Sequence, residues 1–369
     1  MDPEELAAWL RLLETPQVGR ASARKLLATF GSPQAVLGAS TAARREVVGA
    51  QAAAALAVES PEIDATIAAT LAWLNGAPRA EPRAVITLGD PLYPKALLEA
   101  ADPPVLLYAQ GRAELLRADS IAVVGSRNPT AQGVENARAF AAHLSGAGLT
   151  IVSGLALGID AAAHEGGLAG AASTIAVIGT GLDRVYPRRH RELAHRIAAH
   201  GLIVSEYPLG TPPLEAHFPL RNRIIAGLTR GTLVVEAALR SGSLITARLA
   251  AEAGREVFAV PGSIHSPQSR GCHALIKQGA KLVEGAQDIL EELRLPGRDA
   301  TPSVTDPDPA SQREDPLLDA LGFDPVSLDA LAARTGWSAS ELNIKLLELE
   351  LEGRVARLPG QLFQRIERA

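Results

Sequence analysis

The chain has one cysteine, Cys272, among its 369 residues. A single cysteine excludes an intramolecular disulfide and any CxxC metal site. No apolar run approaches the length of a membrane span. The first residues are acidic, without a basic-then-apolar leader pattern, so a cytoplasmic protein is expected. A positive excess is also lacking: 36 Lys and Arg face 41 Asp and Glu, a formal net charge of -5. That balance excludes coating nucleic acid with bulk positive charge. Any nucleic-acid site must be a local basic pocket whose binding depends on salt. The P-loop pattern GxxxxGK[ST] is absent throughout.

What is present is 47% hydrophobic residues in a chain too long for one core, so two or three domains are expected. Residues 1 to about 80 read as helical, with Leu6, Leu10 and Leu13, then Leu26, Leu27 and Phe30, at helical spacing. Between these groups lies Pro16-Gln17-Val18-Gly19-Arg20-Ala21, a glycine-containing hairpin. The segment resembles a helix-hairpin-helix or SAM-like module; the favoured reading is a packing domain, the alternative a DNA-backbone contact. Ala42 to Leu74 is alanine-rich helix.

Residues from about 83 to 293 alternate β-branched runs with helical stretches. The clearest strands are Ile121 to Gly125, Thr150 to Ser153, Thr174 to Ile178, Leu202 to Ser205, Thr232 to Val235 and Val257 to Val260. The alternation predicts an α/β fold, a mostly parallel sheet with helices on both faces. Ligands in such sheets bind beyond the carboxyl ends of the strands. Residues 294–316 combine prolines with Asp299, Asp306, Asp308, Glu314 and Asp315, an extended acidic linker. Residues 317–369 read as a winged helix: helices at Leu328 to Thr335 and Ser340 to Glu352, then a hairpin turning at Pro359-Gly360. Its second helix carries Glu341, Glu348, Glu350 and Glu352 against Lys345, which phosphates would repel, so a protein-contact or packing role is favoured. The wing, with Arg354, Arg357 and Arg365, is the part placed nearest nucleic acid.

The loops after the strands carry the chemistry. Gly125-Ser126-Arg127 allows close backbone approach, a hydroxyl and a phosphate clamp, or is a simple tight turn; it is not GxGxxG. Asp160 and His164, at i and i+4, read as a helix cap with a buried Asp–His hydrogen bond rather than a catalytic pair. Ser205-Glu206-Tyr207-Pro208 ends a further strand. Ser241-Gly242-Ser243 opens a helix whose free N–H groups suit an anion. Pro261-Gly262-Ser263 closes the series. Phe218-Pro219-Leu220-Arg221-Asn222-Arg223, placed just before an apolar helix, offers two guanidinium forks and a ring for base stacking. Capping and ion pairing is the alternative reading. Leu275, Ile276 and Leu282 are either core or a self-association surface.

These residues resemble the DprA/Smf family, the DNA-processing proteins of bacterial natural transformation. The matching stretches are Tyr93-Pro94 with Asp102-Pro103-Pro104, VVGSRNPT from Val123, SGLALGIDAAAH from Ser153, FPLRNRIIAGL from Phe218, VVEAALRSGSLITA from Val234 and VPG from Val260. The resemblance implies an extended Rossmann-like fold that binds single-stranded DNA and no nucleotide cofactor. It also implies a homodimer that protects incoming strands and helps load the RecA recombinase. Carried onto this chain, it assigns Gly125, Ser126 and Arg127 with Phe218, Arg221, Asn222 and Arg223 to DNA. Arg127, Arg221 and Arg223 then meet phosphates, Phe218 stacks on a base and Asn222 positions. Ser241, Gly242 and Ser243 join them on the rim. The chain departs from many relatives at Glu215, where they place a lysine or arginine; Lys277 is the candidate to compensate.

The alternative from another class is an enzyme similar in plan to nucleoside-monophosphate phosphoribohydrolases, with Glu236 acting on the glycosidic bond. Against it, their PGGxGTxxE signature is absent.

Overall fold

The computed structural model describes residues 1–58, 60–294, 315–323 and 325–366. Six helices come first: α1 (Pro3–Glu14), α2 (Arg20–Phe30), α3 (Pro33–Gly38), α4 (Thr41–Val48), α5 (Ala50–Ala55) and α6 (Pro61–Asn75). Asp2 caps α1 by accepting from the Glu5 N–H at 2.7 Å. Prolines open α1, α3 and α6, where the missing N–H has no intrahelical partner to lose. The alanine-rich stretch is three helices rather than one, because Gly49 at φ 82° turns the chain between α4 and α5.

The central unit runs β1 (Arg83–Thr87), α7 (Lys95–Leu98), β2 (Leu106–Gly111), β3 (Ser120–Val124), α8 (Ala131–Gly146), β4 (Thr150–Ser153), α9 (Ile159–Ala169), β5 (Thr174–Ile178) and α10 (Arg191–His200). It continues through β6 (Leu202–Ser205), α11 (His217–Leu228), β7 (Gly231–Val234), α12 (Ser243–Glu252), β8 (Glu256–Ala259), α13 (Arg270–Lys277), β9 (Lys281–Leu282) and α14 (Ala286–Glu292). The nine strands form one sheet in the order β1-β2-β6-β5-β4-β3-β7-β8-β9. From β6 to β9 all pairs are parallel; β2 joins β6, and β1 joins β2, antiparallel. Each of the six expected strands is present within one residue, and all but β8 are buried from end to end.

Two apolar layers cover the sheet. On one face Ile121, Val123 and Ile151 pack with Phe140, Ala141 and Leu144 of α8 and with Ile159 and Ala163 of α9. On the other, Ala122, Val152 and Val177 pack with Ile224 and Ile225 of α11, Ala247 of α12 and Cys272 of α13. The core of the helical segment extends onto the sheet. Its Leu6, Trp9, Leu10 and Leu26 share a cluster with Val85, Leu106 and Tyr108 of the antiparallel strands. Strand order reverses between β3 and β7: the chain first builds β3 to β6 on one side, then β7 to β9 on the other. The carboxyl ends at that reversal are where a ligand crevice opens in such sheets.

The last unit contains α15 (Pro316–Leu321), β10 (Val326–Ser327), α16 (Leu328–Thr335), α17 (Ala339–Leu351), β11 (Val355–Leu358) and β12 (Leu362–Arg365). Its three strands pair in the order β10-β12-β11. Ser338 and Glu341 form a reciprocal capping box at the start of α17. Most of the expected acidic linker lies outside the described residues; Pro316, read as its end, opens α15.

Candidate functional site

A cavity of about 680 Å³ opens at the strand-order reversal. The loop after β3 contributes Gly125, Ser126, Arg127 and Asn128, and the segment after β7 contributes Arg240, Ser241, Gly242 and Ser243. Phe218, Arg221, Asn222 and Ile225 line it from α11, at helical positions i, i+3, i+4 and i+7. Nine of the eleven residues expected at the DNA site line this cavity; Arg223 and Lys277 do not.

Arg221 dominates the interior. It is 5% exposed, and its Nε and Nη1 have no hydrogen-bond partner among the described residues. Burial lowers its proton affinity, and Asp160 opposes that shift. Gly154 makes room for it: a Cβ there would lie 1.5 Å from Nη1. Asp160 accepts from the N–H groups of Gly154 and Ala156 at 3.1 and 3.2 Å. Burial raises its carboxyl above the ordinary value, with Arg221 the first of several groups pulling the other way.

The rim is aromatic and cationic. The Arg127 guanidinium sits over the Phe218 ring, 5.8 Å from its centroid. The ring of Tyr186 lies 5.6 Å from that of Phe218, tilted by 33°. Arg127 and Arg240 are exposed and in no salt bridge among the described residues. Asn222 Nδ2 reaches the Gly242 carbonyl at 3.4 Å, tying α11 to the serine loop, where the Ser241 and Ser243 hydroxyls are 2.7 Å apart. Glu215 lines the cavity too. Tyr186 and Arg240 went unrecognised in the sequence. Arg240 sits in the quoted VVEAALRSGSLITA stretch; Tyr186 stands in a loop with no motif of its own.

Several expectations are corrected by geometry. Arg223 follows Arg221 by two residues on a helix that begins at His217, so it points away. Its Nη2 is 2.6 Å from Glu206 Oε1 and its Nε 3.1 Å from Asp102. Arg20 contacts both carboxylates, at 3.2 and 3.0 Å, and Arg24 pairs with Asp102 at 2.6 Å. Arg20 of the amino-terminal hairpin and Arg24 just after it thus pair with carboxylates of the central unit, the contact a packing role requires. Lys277 is exposed at the end of α13, outside the cavity. The 205–208 and 261–263 loops do not line the cavity either.

Asp160 and His164 make no hydrogen bond to each other. His164 Nε2 accepts from the Leu155 N–H, and Nδ1 meets Thr174 Oγ1 at 2.8 Å. Thr174 gives its own proton to the Ile151 carbonyl, so Nδ1 carries the histidine's hydrogen. Burial first, then Arg221 and His190, pushes His164 down to about 3, and it is neutral. Glu236 accepts from Thr130 N and Oγ1 at 2.9 and 2.5 Å, turned under the start of α8. No group of three His, Cys, Asp or Glu is placed to hold a metal among the described residues. Leu275 and Ile276 are partly buried against the core, while Leu282 is 45% exposed on the edge strand β9.

Fold and site together define a helical module and a winged helix attached to a Rossmann-like sheet, with a cationic cavity at the strand-order reversal. The chain belongs to the DprA/Smf family. Residues 84–294 match the family model for DNA recombination-mediator protein A, 3–65 the DprA-like N-terminal HHH domain, and 301–361 the DprA winged helix domain. It is 43% identical to Protein Smf of Escherichia coli over 313 residues, covering 82% of each chain. It is 52% identical to DNA processing protein DprA of Streptococcus pneumoniae over 206 residues, 56% of this chain and 73% of that one. The X-ray structure of the S. pneumoniae DprA matches with TM-score 0.68 at 39% identity, over 78% of this chain and 97% of that one. A Helicobacter pylori DNA processing protein A, studied for its single-stranded DNA binding mode, matches with TM-score 0.52 at 32% identity, over 57% and 95%. Among the described residues no helix is long and apolar enough to cross a membrane.

Proposed function

We propose that this chain binds and protects single-stranded DNA during natural transformation and helps load the RecA recombinase onto it, as a cytoplasmic homodimer without cofactor or catalysis. The observation that carries the binding step is Arg221, a buried guanidinium with unpartnered donors that lines a large cavity. A buried cation of this kind is set to receive an anion. Arg127 and Arg240 on the rim take neighbouring phosphates, and Phe218 with Tyr186 offers faces for bases. The H. pylori relative's single-strand binding supports the same ligand here. The recombination-mediator description of the family supports the hand-over to RecA. Leu282 on the edge strand, with Leu275 and Ile276 of α13 partly exposed, is the surface assigned to self-association.

The phosphoribohydrolase reading places Glu236 at a glycosidic bond. Both its hydrogen bonds go to Thr130, and it does not line the cavity. The test is an anisotropy titration of labelled oligo-dT and of a matching duplex across a salt series. Salt-sensitive binding that prefers the single strand supports the proposal. No single-strand binding at low salt, with free base released from nucleotides by the purified protein, would replace it.

A further inference from the structure

The outer face of α17 is apolar where a winged helix that reads DNA is polar and basic. Leu342, Leu346 and Leu349 face inward and are buried, as a two-layer unit requires. Ile344, Leu347 and Leu351 form a second stripe, 62%, 56% and 82% exposed. Their spacing, i, i+3 and i+7, puts them on one side of the helix. Three large aliphatics in one exposed row exceed the scattered apolar residues normal on a surface.

The charges beside the stripe decide what covers it. Residues 339–352 carry four glutamates and one lysine. Helical geometry sets Glu341, Glu348 and Glu352 along one flank of the stripe and Glu350 along the other. Glu348 and Glu352 are a like-charge i,i+4 pair at a carboxyl end that already bears the negative pole of the helix dipole, an arrangement that weakens an isolated helix. Glu341 caps its own helix, and Lys345 and Arg354 make exposed pairs with Glu348 and Glu352.

A DNA backbone is repelled by this face, and a second copy would set glutamates against glutamates. Residues 295–314 of the chain itself carry Asp299, Asp306, Asp308 and Glu314 against Arg298 and Arg313, so that segment is net acidic and meets the same repulsion. We propose that the stripe of α17 docks an amphipathic helix of a partner protein whose apolar row is flanked by lysine or arginine.

The test uses the full-length protein and two labelled helical peptides of about 18 residues. Both have leucines at i, i+3 and i+7; one has lysines beside the row and the other glutamates. The lysine peptide is expected to bind, to weaken as salt rises from about 50 to 300 mM, and to outbind the glutamate peptide by at least about tenfold. The double variant Leu347→Glu and Leu351→Glu, checked by circular dichroism, is expected to lose at least about tenfold in peptide affinity while binding oligo-dT as before. The proposal fails if the two peptides bind alike or neither binds, or if the variant retains peptide binding. It also fails if the variant turns a wild-type dimer into a monomer, or abolishes duplex DNA binding, because those results name a different occupant.

Discussion

Arg221→Met separates stability from function. Breaking a close buried ion pair costs about 3–5 kcal/mol, but the 5% exposed Arg221 influences Asp160 only through its charge, without a salt bridge between them. Here two buried donors are unpartnered, and removing them relieves about 1–3 kcal/mol each. The opposing loss is attraction to Asp160, which is bounded by about 4 kcal/mol, the Coulomb energy at ~4 Å and an effective dielectric near 20. Methionine keeps the apolar stem and fills the site flexibly. The net change in urea stability is therefore expected within about 2 kcal/mol of zero. Binding behaves differently: charge-assisted hydrogen bonds contribute about 1.5–3 kcal/mol, so affinity for oligo-dT falls roughly 10- to 150-fold.

The pH dependence gives an independent check. Asp160 has a folded-state carboxyl raised by burial, and without Arg221 it rises further. A raised carboxyl favours the fold while protonated and loses that contribution as pH climbs through its folded value. The variant should therefore fall further behind the wild type as pH rises. A stability loss above about 4 kcal/mol at neutral pH would refute the reasoning by making Arg221 a structural partner. So would oligo-dT affinity within twofold of wild type.

Phe218→Ala is expected to weaken oligo-dT binding by about 1–3 kcal/mol, and an unchanged anisotropy curve would remove Phe218 as a stacking platform. Asp102 faces opposing influences: burial would raise its carboxyl, but Arg223, Arg24 and Arg20 together hold it below the ordinary 3.8. Its contribution is present above that value and disappears as pH falls through the lower folded one. Asp102→Asn should therefore flatten the loss of stability below about pH 4, measured by urea titration. Glu215→Lys shifts the charge of the cavity rim by +2 and should tighten oligo-dT binding by about three- to tenfold at low salt; weaker binding would place the strand away from Glu215.

The strands of the sheet were legible because buried parallel strands read as continuous β-branched runs, as Thr174–Ile178 does. β1 and β2 escaped that reading. Leu107 and Ala109 face the sheet's own core, while Leu106 and Tyr108 pack on the helical module, a partner distant in sequence. The site was legible where residues follow a strand end, as Gly125 to Arg127 do. It was misread where a helix boundary decided the outcome. With the hexapeptide taken as loop, Arg221 and Arg223 looked equivalent. A helix starting at His217 puts them about 200° apart, one in the cavity and one against Asp102 and Glu206.

A chain of net charge -5 can bind an anionic strand if its carboxylates are sequestered where the strand passes. Of the two lining carboxylates, Asp160 is held by two backbone N–H groups, which leaves Glu215. Glu206 is occupied by Arg223 and Arg20, and Glu236 by Thr130. Charges beyond a Debye length, about 8 Å at physiological salt, contribute little, so the remote acidic surface does not cancel the site. Three arginines then set the local field: Arg127, Arg221 and Arg240. Three phosphate contacts on a single strand predict a slope of log affinity against log salt of about -2, from roughly -0.7 per contact. A measured slope near -6 would require a much longer basic track than this cavity supplies.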